Sequence, residues 1–286
     1  MTHWKCYNIG KKSATSKTYD TCERRKKKNS TRLIYKEVFM KFLEVNGLTK
    51  RYPKFTLKNV SFSLEQGRIM GLIGKNGAGK STTLKAMLNM VCPDRGTIRM
   101  LGHDFRQEEE VCKQDIGVVL GSIQFYQTKK LQTITDVTKH FYRKWDDIAY
   151  QKYMSMFELD EKKQVHQLSE GMKVKYLIAL ALSHNAKLLI FDEPTSGLDP
   201  VAREDLLELF QHLVKDGKRS ILFSTHITSD LDKCADDITY IKNGEIIAST
   251  DKASFIQVFQ SLKVPGEDSL NLEEIMVRNE RGTYNV

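Results

Sequence analysis

The stretch GLIGKNGAGKSTT, residues 71–83, decides the fold. Residues 74–81 match the pattern G-x-x-x-x-G-K-[ST], in which a glycine-rich loop holds the phosphates of a nucleotide. The apolar run GRIMGLIG leads into this loop and predicts a buried strand, while TTLKAMLNMV behind it has the spacing of a helix. Strand, loop and helix therefore follow one another in the order that a phosphate-binding loop requires.

The residue types in the loop suit phosphate binding. Glycines let the backbone curl so that its N–H groups point at phosphate oxygens, and the start of the helix adds further free N–H groups. Lys80 is predicted to reach the β- and γ-phosphates, and the Ser81 hydroxyl to ligate Mg²⁺. The predicted nucleotide-binding residues of the loop are Gly74, Lys75, Asn76, Gly77, Ala78, Gly79, Lys80, Ser81 and Thr82.

A second segment, KLLIFDEP at residues 187–194, supplies two carboxylates. Its apolar run is short and predicts a strand of a parallel sheet covered on both faces. Asp192 would then lie at the carboxyl end of the strand, where open α/β sheets bind ligands, and would hold Mg²⁺ through water. Glu193 is predicted to be catalytic, because its carboxylate can orient or deprotonate the water that attacks the phosphate.

The distribution of charge argues against nucleic acid as a partner. The 286 residues carry a net charge of +9, which resembles that of a nucleic-acid-binding protein. Residues 1–39, however, hold 11 Lys or Arg and 3 Asp or Glu, so that the remainder of the chain carries only +1. A nearly neutral body has no electrostatic reason to bind nucleic acid.

Residues 1–39 show no helical or strand periodicity and allow three interpretations. They form a disordered, solvated tail, or a basic arm for nucleic acid or anionic lipid. The third interpretation is that Met40 is the true start, since KEVF before it can be encoded by a purine-rich tract like a bacterial ribosome-binding site. Residues 1–39 would then be translated leader sequence that results from a wrongly assigned start.

The cysteines and the hydropathy give further limits. The five cysteines include no CxxC pair, which predicts reduced thiols in a cytoplasmic protein rather than a disulfide framework or zinc site. No apolar run approaches the roughly 18 residues that span a bilayer. If the protein acts at a membrane, another protein must therefore provide the channel.

Three more segments resemble motifs of the ATP-binding-cassette (ABC) ATPases. LSEGMK at residues 168–173 resembles the family's signature, usually LSGGQ. DEPTSGLDP at 192–200 resembles the extended Walker B motif and D-loop, and FSTHITSDLDKCAD at 223–236 resembles the switch-histidine segment. The resemblance spans about residues 42–248 and implies an α/β fold of the P-loop NTPase type. That fold has a central, mostly parallel sheet, an antiparallel β edge and a helical subdomain that carries the signature.

The resemblance also implies domain boundaries. Residues 40–250 are expected to form the ATPase domain, with the helical subdomain at about 122–185, and residues 251–286 a short C-terminal extension. In that extension Asn271 and Glu274 fit a helix-capping box.

The segment before the signature has apolar residues at helical spacing, namely Ile134, Val137, Phe141 and Trp145. As the helical subdomain, it would form a groove for a cytoplasmic helix of a membrane protein. Alternatively, it is a self-contained helical cap whose aromatic side chains only fill its own core.

The resemblance also implies roles for further residues, according to their positions in the matching motifs. Ser169 and Gly171 would begin a helix whose N-terminus points at the γ-phosphate held by a second subunit, where the helix dipole favours negative charge. Asp199 would lie across the seam of that dimer. The ring of His226 would contact the γ-phosphate and the attacking water as a second catalytic group. Tyr52 would stack on the adenine ring.

Two positions depart from the family pattern. Met172 replaces the usual glutamine of the signature, while the flanking Ser169 and Gly171 remain. Gly121 stands where the family has a glutamine that ligates Mg²⁺ and senses the transporter, and Gln124, three residues later, is the alternative ligand. The departure at Gly121 puts magnesium coordination and coupling through this loop in question.

The resemblance implies an ATPase with ATP and Mg²⁺ as cofactors that powers an integral-membrane permease. The chain would act as a homodimer, or as a heterodimer with another ABC cassette, on the cytoplasmic face of the cell membrane. The short tail with LEEIMV resembles the ABC-2-type bacterial exporter cassettes, which favours export. The alternatives are an importer cassette and a soluble ABC ATPase acting on nucleic acid or the ribosome. A metabolic kinase or GTPase would not explain LSEGM and SGLDP together.

Overall fold

Two β-sheets and the helices around them make up the part of the chain that the structure, a computed structural model, describes. These are residues 40–121, 126–264 and 270–281, all within the unit Phe39–Val286. The strands are β1 (Lys41–Tyr52), β2 (Phe55–Glu65), β3 (Ile69–Ile73), β4 (Arg95–Met100), β5 (His103–Asp104), β6 (Ile116–Leu120), β7 (Leu188–Asp192), β8 (Ser220–Thr225), β9 (Asp237–Lys242) and β10 (Glu245–Asp251). The α-helices are α1 (Lys80–Met87), α2 (Glu109–Gln114), α3 (Leu131–Thr138), α4 (Asp147–Met156), α5 (Glu170–Ser183), α6 (Pro200–Val214), α7 (Thr228–Cys234), α8 (Lys252–Val258) and α9 (Leu272–Arg281).

The strand before the phosphate loop, β3, lies inside a six-stranded sheet of order β10-β9-β3-β8-β7-β6. Adjacent strands in the series β9-β3-β8-β7-β6 pair in parallel, and β10 pairs antiparallel with β9 at the edge of the sheet. All of β3 and β8 is buried, as expected for parallel strands covered on both faces. The predicted α/β fold with a mostly parallel sheet is confirmed.

Each face of this sheet belongs to a separate hydrophobic core. Ile69 and Ile73 of β3 face the core that contains α5, α6 and α7, while Met70 and Leu72 face the other core. That second core is closed by α1 and by the four-stranded antiparallel sheet of order β2-β1-β4-β5. The alternation follows from the period of two along a strand, and it fixes the sheet between two layers.

The topology brings the functional segments to one edge. Parallel strands have their carboxyl ends on the same side, and ligands of open α/β sheets bind there. The phosphate loop follows β3, Asp192 ends β7, His226 follows β8 and Gly121 follows β6. The antiparallel sheet adds the turn between β1 and β2, which carries Tyr52.

The helical segment before the signature differs from its predicted pattern. Helix α3 ends at Thr138, and a 3₁₀ turn covers Lys139–Phe141. Because the backbone of Tyr142 is extended, Trp145 does not belong to the same helix as Ile134. Ile134 and Trp145 pack on the core, whereas Val137 and Phe141 are 58% and 70% exposed. The alternative in which the aromatic side chains only fill a core of the helical segment is therefore wrong for Phe141, whereas Trp145 packs on the buried core.

The C-terminal segment begins α9 with the predicted capping box. The backbone N–H of Glu274 donates to Asn271 Oδ1 at 2.8 Å, and the N–H of Asn271 donates to Glu274 Oε2 at 3.0 Å. Leu272 and Ile275 then bury the inner face of the helix. The predicted capping box is present, and it fixes the start of α9.

Some sequence-based expectations concern disulfides and membrane spans. Cys92, Cys112 and Cys234 are free thiols, while Cys6 and Cys22 lie outside the described residues. Among the residues that the structure describes, no helix has both the length and the apolar character needed to cross a membrane.

The imidazole of His184, at the end of α5, is buried against β6 and the helical segment. Its ring stacks on Tyr142 with the ring centroids 3.7 Å apart, and Nδ1 lies 3.2 Å from the carbonyl oxygen of Gln114. Burial lowers the pKa of His184 from 6.5 to about 4. The side chain is therefore neutral in the folded protein at every pH above that value.

This burial predicts a loss of stability in mild acid. As the pH falls from 6.5 towards 4, the unfolded chain binds a proton at His184 and the folded chain does not, so the free energy of unfolding decreases. When the pH falls from 7.5 to 5, the free energy of unfolding of the native chain should decrease by about 2 kcal/mol more than that of a His184→Gln variant. Urea denaturation at both pH values measures this, with the exposed His212→Gln as control. Equal losses in native chain and His184→Gln would contradict the prediction.

Candidate active site

The phosphate loop has the backbone conformation that its glycines permit. Gly77 and Gly79 have φ angles of 82° and 117°, in the left-handed region that side chains other than glycine rarely adopt. Gly79 is also the N-cap of α1, and the N–H of Thr83 donates to its carbonyl oxygen at 2.8 Å. The loop therefore ends directly on a helix N-terminus, as phosphate binding requires.

Lys80 is held in the centre of the site. Its side chain is 4% exposed, and Nζ donates to the carbonyl oxygens of Gly74 at 2.7 Å and Lys75 at 3.2 Å. The same ammonium group lies 3.2 Å from Glu193 Oε1. A buried cation is thus positioned between the loop and the acidic residue that follows β7.

The hydroxyl of Ser81 and the carboxylate of Asp192 meet across the site. Ser81 Oγ donates to Asp192 Oδ1 at 3.2 Å, and Ser224 Oγ donates to the same oxygen at 2.6 Å. The predicted pair of metal ligands is therefore brought together. Ser224, on β8, was not predicted; it lies inside the switch-histidine segment at 223–236, where a small polar residue carries no distinct signal.

Glu193 has a strained backbone with φ at +50°. Such a residue persists only where its surroundings hold it, and here its N–H donates to Ser224 Oγ at 2.9 Å. The carboxylate lies between two partners, Lys80 Nζ and His226 Nδ1, the latter 3.3 Å from Oε2. The two predicted catalytic residues, Glu193 and His226, are thus adjacent.

A buried carboxylate, Asp230, connects three segments around this site. It accepts hydrogen bonds from Thr195 Oγ1 at 2.7 Å and Thr225 Oγ1 at 3.2 Å. Arg203 Nε on α6 completes the network at 2.5 Å. Thr195 lies two residues after Glu193 and Thr225 directly precedes His226, so Asp230 fixes both predicted catalytic residues relative to α6. Asp230 was not predicted, because an Asp in a short polar helix carries no distinct signal in the sequence.

A cavity of about 600 Å³ opens between the phosphate loop and the turn of the antiparallel sheet. Tyr52 lies on its wall, 39% exposed, with Lys50 Nζ 5.8 Å from the ring centroid. The residues that line the cavity are Tyr52, Lys54, Phe55, Asn76, Gly77, Gly79, Lys80, Ser81, Thr82 and Glu193. The structure therefore gathers Tyr52 and most of the predicted loop residues around one space; Phe55 was not predicted.

A neighbouring cavity of about 610 Å³ shares Asn76, Ser81 and Glu193 with the first. Gly121 lies on its wall, so that this position offers no side chain as a ligand. Gln124, the predicted alternative, lies outside the described residues.

Ser169, Gly171 and Asp199 lie outside both cavities. Ser169 is the N-cap of α5 and accepts from the N–H of Met172 at 3.2 Å, while Gly171 is buried next to α6. Asp199 caps α6 by accepting from the N–H groups of Val201 and Ala202, both at 3.0 Å. None of Ser169, Gly171 and Asp199 lines the cavity around Lys80. Their predicted contacts across a dimer stay a prediction.

Comparison with known proteins identifies the family. A family model described as ABC transporter matches residues 57–196. The chain is 34% identical over 208 residues to the uncharacterised ABC transporter ATP-binding protein YcbN of Bacillus subtilis, covering 72% of this chain and 68% of that protein. It is 32% identical over 240 residues to the ABC-type transporter ATP-binding protein EcsA of the same organism, and the match covers 82% of this chain and 96% of EcsA. A third relative, the linearmycin resistance ATP-binding protein LnrL, is 34% identical over 212 residues, covering 72% and 68%.

Solved structures show the same fold. The structure of an ATP-binding subunit of an ABC transporter superposes with a TM-score of 0.72 at 28% identity, covering 82% of this chain and 98% of that one. A dimeric post-hydrolysis state of an ATP-binding cassette bound to ADP and Pi superposes with a TM-score of 0.64 at 23% identity, covering 73% and 98%.

Proposed function

The chain belongs to the ABC transporter family of ATP-binding proteins, and from this premise we propose that it drives export through a separate membrane permease. It is an ATPase of the cassette type. The observation that favours export is a relative named for it, a Nod factor export ATP-binding protein of Ralstonia nicotianae that is 35% identical over 215 residues. The importer alternative rests on no comparable relative among those described above.

The phosphate loop and α1 would bind the phosphates of ATP. The loop N–H groups and Lys80 supply positive charge from a largely buried position, where it is less screened than in water. The face of Tyr52 would stack on adenine, which holds a base without reading its edges. This arrangement supports binding of a triphosphate in the cavity of about 600 Å³.

Ser81 and Asp192 would hold Mg²⁺. Both present oxygen atoms, the ligand type that Mg²⁺ prefers, and their contact at 3.2 Å places them at one point. In the described residues no group of three or more acidic, His or Cys side chains forms a complete metal site, which suits an ion that takes its other ligands from phosphates and water. When bound, the ion neutralises charge on the phosphates.

Glu193 would activate the attacking water. In the structure its Oε1 atom is paired with the ammonium group of Lys80 at 3.2 Å and is therefore not free to contact a water. Phosphate oxygens are the preferred partner of Lys80, so binding of ATP would release Glu193 for the water. His226, 3.3 Å from Glu193, would hold the water and the γ-phosphate in line.

A second chain would complete the site. The N-terminus of α5, capped by Ser169, is exposed to solvent in the single chain, and its dipole would favour the γ-phosphate bound by a partner. Asp199 would lie at the seam between the two chains. ATP would then bind the closed pair more tightly than the open pair, and this difference in affinity can shift a permease between two states.

The permease would dock on the helical segment before the signature. Val137, Phe141 and Ile148 are large apolar side chains with exposed fractions of 58%, 70% and 84%. Gln114 Nε2 donates to the carbonyl oxygen of Phe141 at 2.9 Å, which ties this surface to the segment before β6 and so to the ATP site. Docking there would place the chain on the cytoplasmic face of the membrane.

Affinity purification of the full chain from detergent-solubilised native membranes tests the transport function. A six-helix permease, identified by mass spectrometry, should co-purify with the native chain and be lost with Phe141→Glu. Val258→Glu, at an apolar position on α8 that is 57% exposed, serves as control and should retain the permease. Recovery with ribosomes or nucleic acid instead of a permease would contradict the proposal. ATP hydrolysis that requires an added solute-binding protein would favour import over export.

A further inference from the structure

A chain of polar contacts connects α9, near the end of the described residues, to the phosphate loop. Glu280 Oε2 lies 2.8 Å from Lys75 Nζ, the second residue of the loop. The other carboxylate oxygen of Glu280 accepts a hydrogen bond from Tyr240 Oη at 2.8 Å. One acidic side chain of the C-terminal extension thus joins β9 to the loop that holds phosphates.

The carboxylate of Glu280 is sheltered. Its side chain is 11% exposed, and Tyr240 is fully buried. Burial raises the pKa of Tyr240, so its hydroxyl stays protonated and donates. An ion pair shielded on one side is screened less than one at the open surface, although the side chain of Lys75 is 58% exposed.

Helix α9 is itself held firmly at this end. Lys242 Nζ donates to the carbonyl oxygen of Asn279 at 2.5 Å, and Asn279 Nδ2 donates to Tyr240 Oη at 3.0 Å. Arg278 Nη1 donates to the carbonyl oxygen of Leu262 at 2.8 Å. Glu280 therefore reaches Lys75 from a fixed support.

In the phosphate loop, Lys75 connects Glu280 to the residues that hold Lys80. Its carbonyl oxygen accepts hydrogen bonds from Lys80 Nζ at 3.2 Å and from the N–H of Ala78 at 3.1 Å. The residue whose side chain pairs with Glu280 is therefore the one whose carbonyl oxygen holds both Lys80 and the turn of the loop. Helix α9 also packs against α7, which begins two residues after His226.

We propose that Glu280 is a positioning residue for ATP binding. By holding Lys75 it keeps the phosphate loop in its binding conformation, so that the affinity for ATP depends on how the C-terminal extension is docked. The inference rests on the proposed role of this loop in binding ATP. Displacing α9 from Lys75 would lower the affinity for ATP without touching a group that contacts the reacting atoms.

Steady-state ATP hydrolysis by the full chain provides the test. Glu280→Ala should raise KM for ATP about fivefold, the order expected from one charge-assisted contact, and change kcat less than twofold. Glu273→Ala removes an exposed carboxylate from the first turn of the same helix and should leave both constants unchanged. Lys75→Ala should raise KM by a similar factor, and the double variant Lys75→Ala/Glu280→Ala should raise it no further.

Several results would overturn the inference. If Glu280→Ala and Glu273→Ala have the same KM, Glu280 has no role in ATP binding. The same holds if the effects of Lys75→Ala and Glu280→Ala on KM multiply in the double variant. If Glu280→Ala does not fold, as judged by thermal unfolding, Glu280→Gln replaces it; Gln can still accept from Tyr240 but lacks the charge. A native chain without saturable ATP hydrolysis would instead overturn the proposed function, and this inference with it.

Discussion

Replacing Glu193 with glutamine is expected to lower the rate of ATP hydrolysis at least about a hundredfold, the range that a general base contributes. The amide keeps the size of the side chain and its place beside Lys80 and His226, but it cannot accept a proton from water. Binding of ATP should survive, because the loop and Lys80 are unchanged. A dimer that closes on ATP would then not reopen by hydrolysis, and it should accumulate.

Two measurements check this expectation. Release of phosphate gives the rate, and light scattering coupled to size exclusion gives the mass with and without ATP and Mg²⁺. Glu208→Gln, an exposed acidic residue on α6, is the matched control and should hydrolyse ATP at the native rate without a trapped dimer. A normal rate in Glu193→Gln would show that another group activates the water. A slow variant that stays monomeric with ATP, even with its permease present, would refute the proposed two-chain site.

Replacing Lys80 with alanine is expected to weaken ATP binding at least about a hundredfold, which is near 3 kcal/mol. The side chain is 4% exposed, and its ammonium group contacts the carbonyl oxygens of Gly74 and Lys75 and the carboxylate of Glu193. Its loss removes the positive charge for the β- and γ-phosphates and leaves Glu193, a negative charge, facing them. Both changes oppose binding of a triphosphate.

Isothermal titration calorimetry with ATP measures this affinity directly. Lys85→Ala, one turn further along α1 and exposed, should bind ATP as the native chain does. Thermal unfolding of Lys80→Ala shows whether the variant is folded, since Gly74 and Lys75 lose a hydrogen-bond donor. Retained affinity in a folded Lys80→Ala would mean that the cavity around Tyr52 is not the ATP site.

The sequence by itself determined the elements whose signals are local. The loop from Gly74 to Ser81 is recognisable because phosphate binding by backbone N–H groups needs glycines at set positions directly before a helix. The apolar runs of β3 and β7 predict buried strands since each is short. The capping box of α9 depends on residues only three apart, Asn271 and Glu274, and it was predicted for the same reason.

The tertiary structure alone decided which distant side chains meet. Ser224 contacts Asp192, 32 residues away, and Asp230 contacts Thr195, 35 residues away, because β7 and β8 are neighbours in the sheet. Glu280 meets Lys75 because α9 folds back over β9. Apolar spacing also failed at Phe141, where a 3₁₀ turn ends the helix that the spacing predicts. Patterns along the chain report local conformation and burial, whereas contacts between distant segments depend on the order of strands in the sheet, which no short pattern encodes.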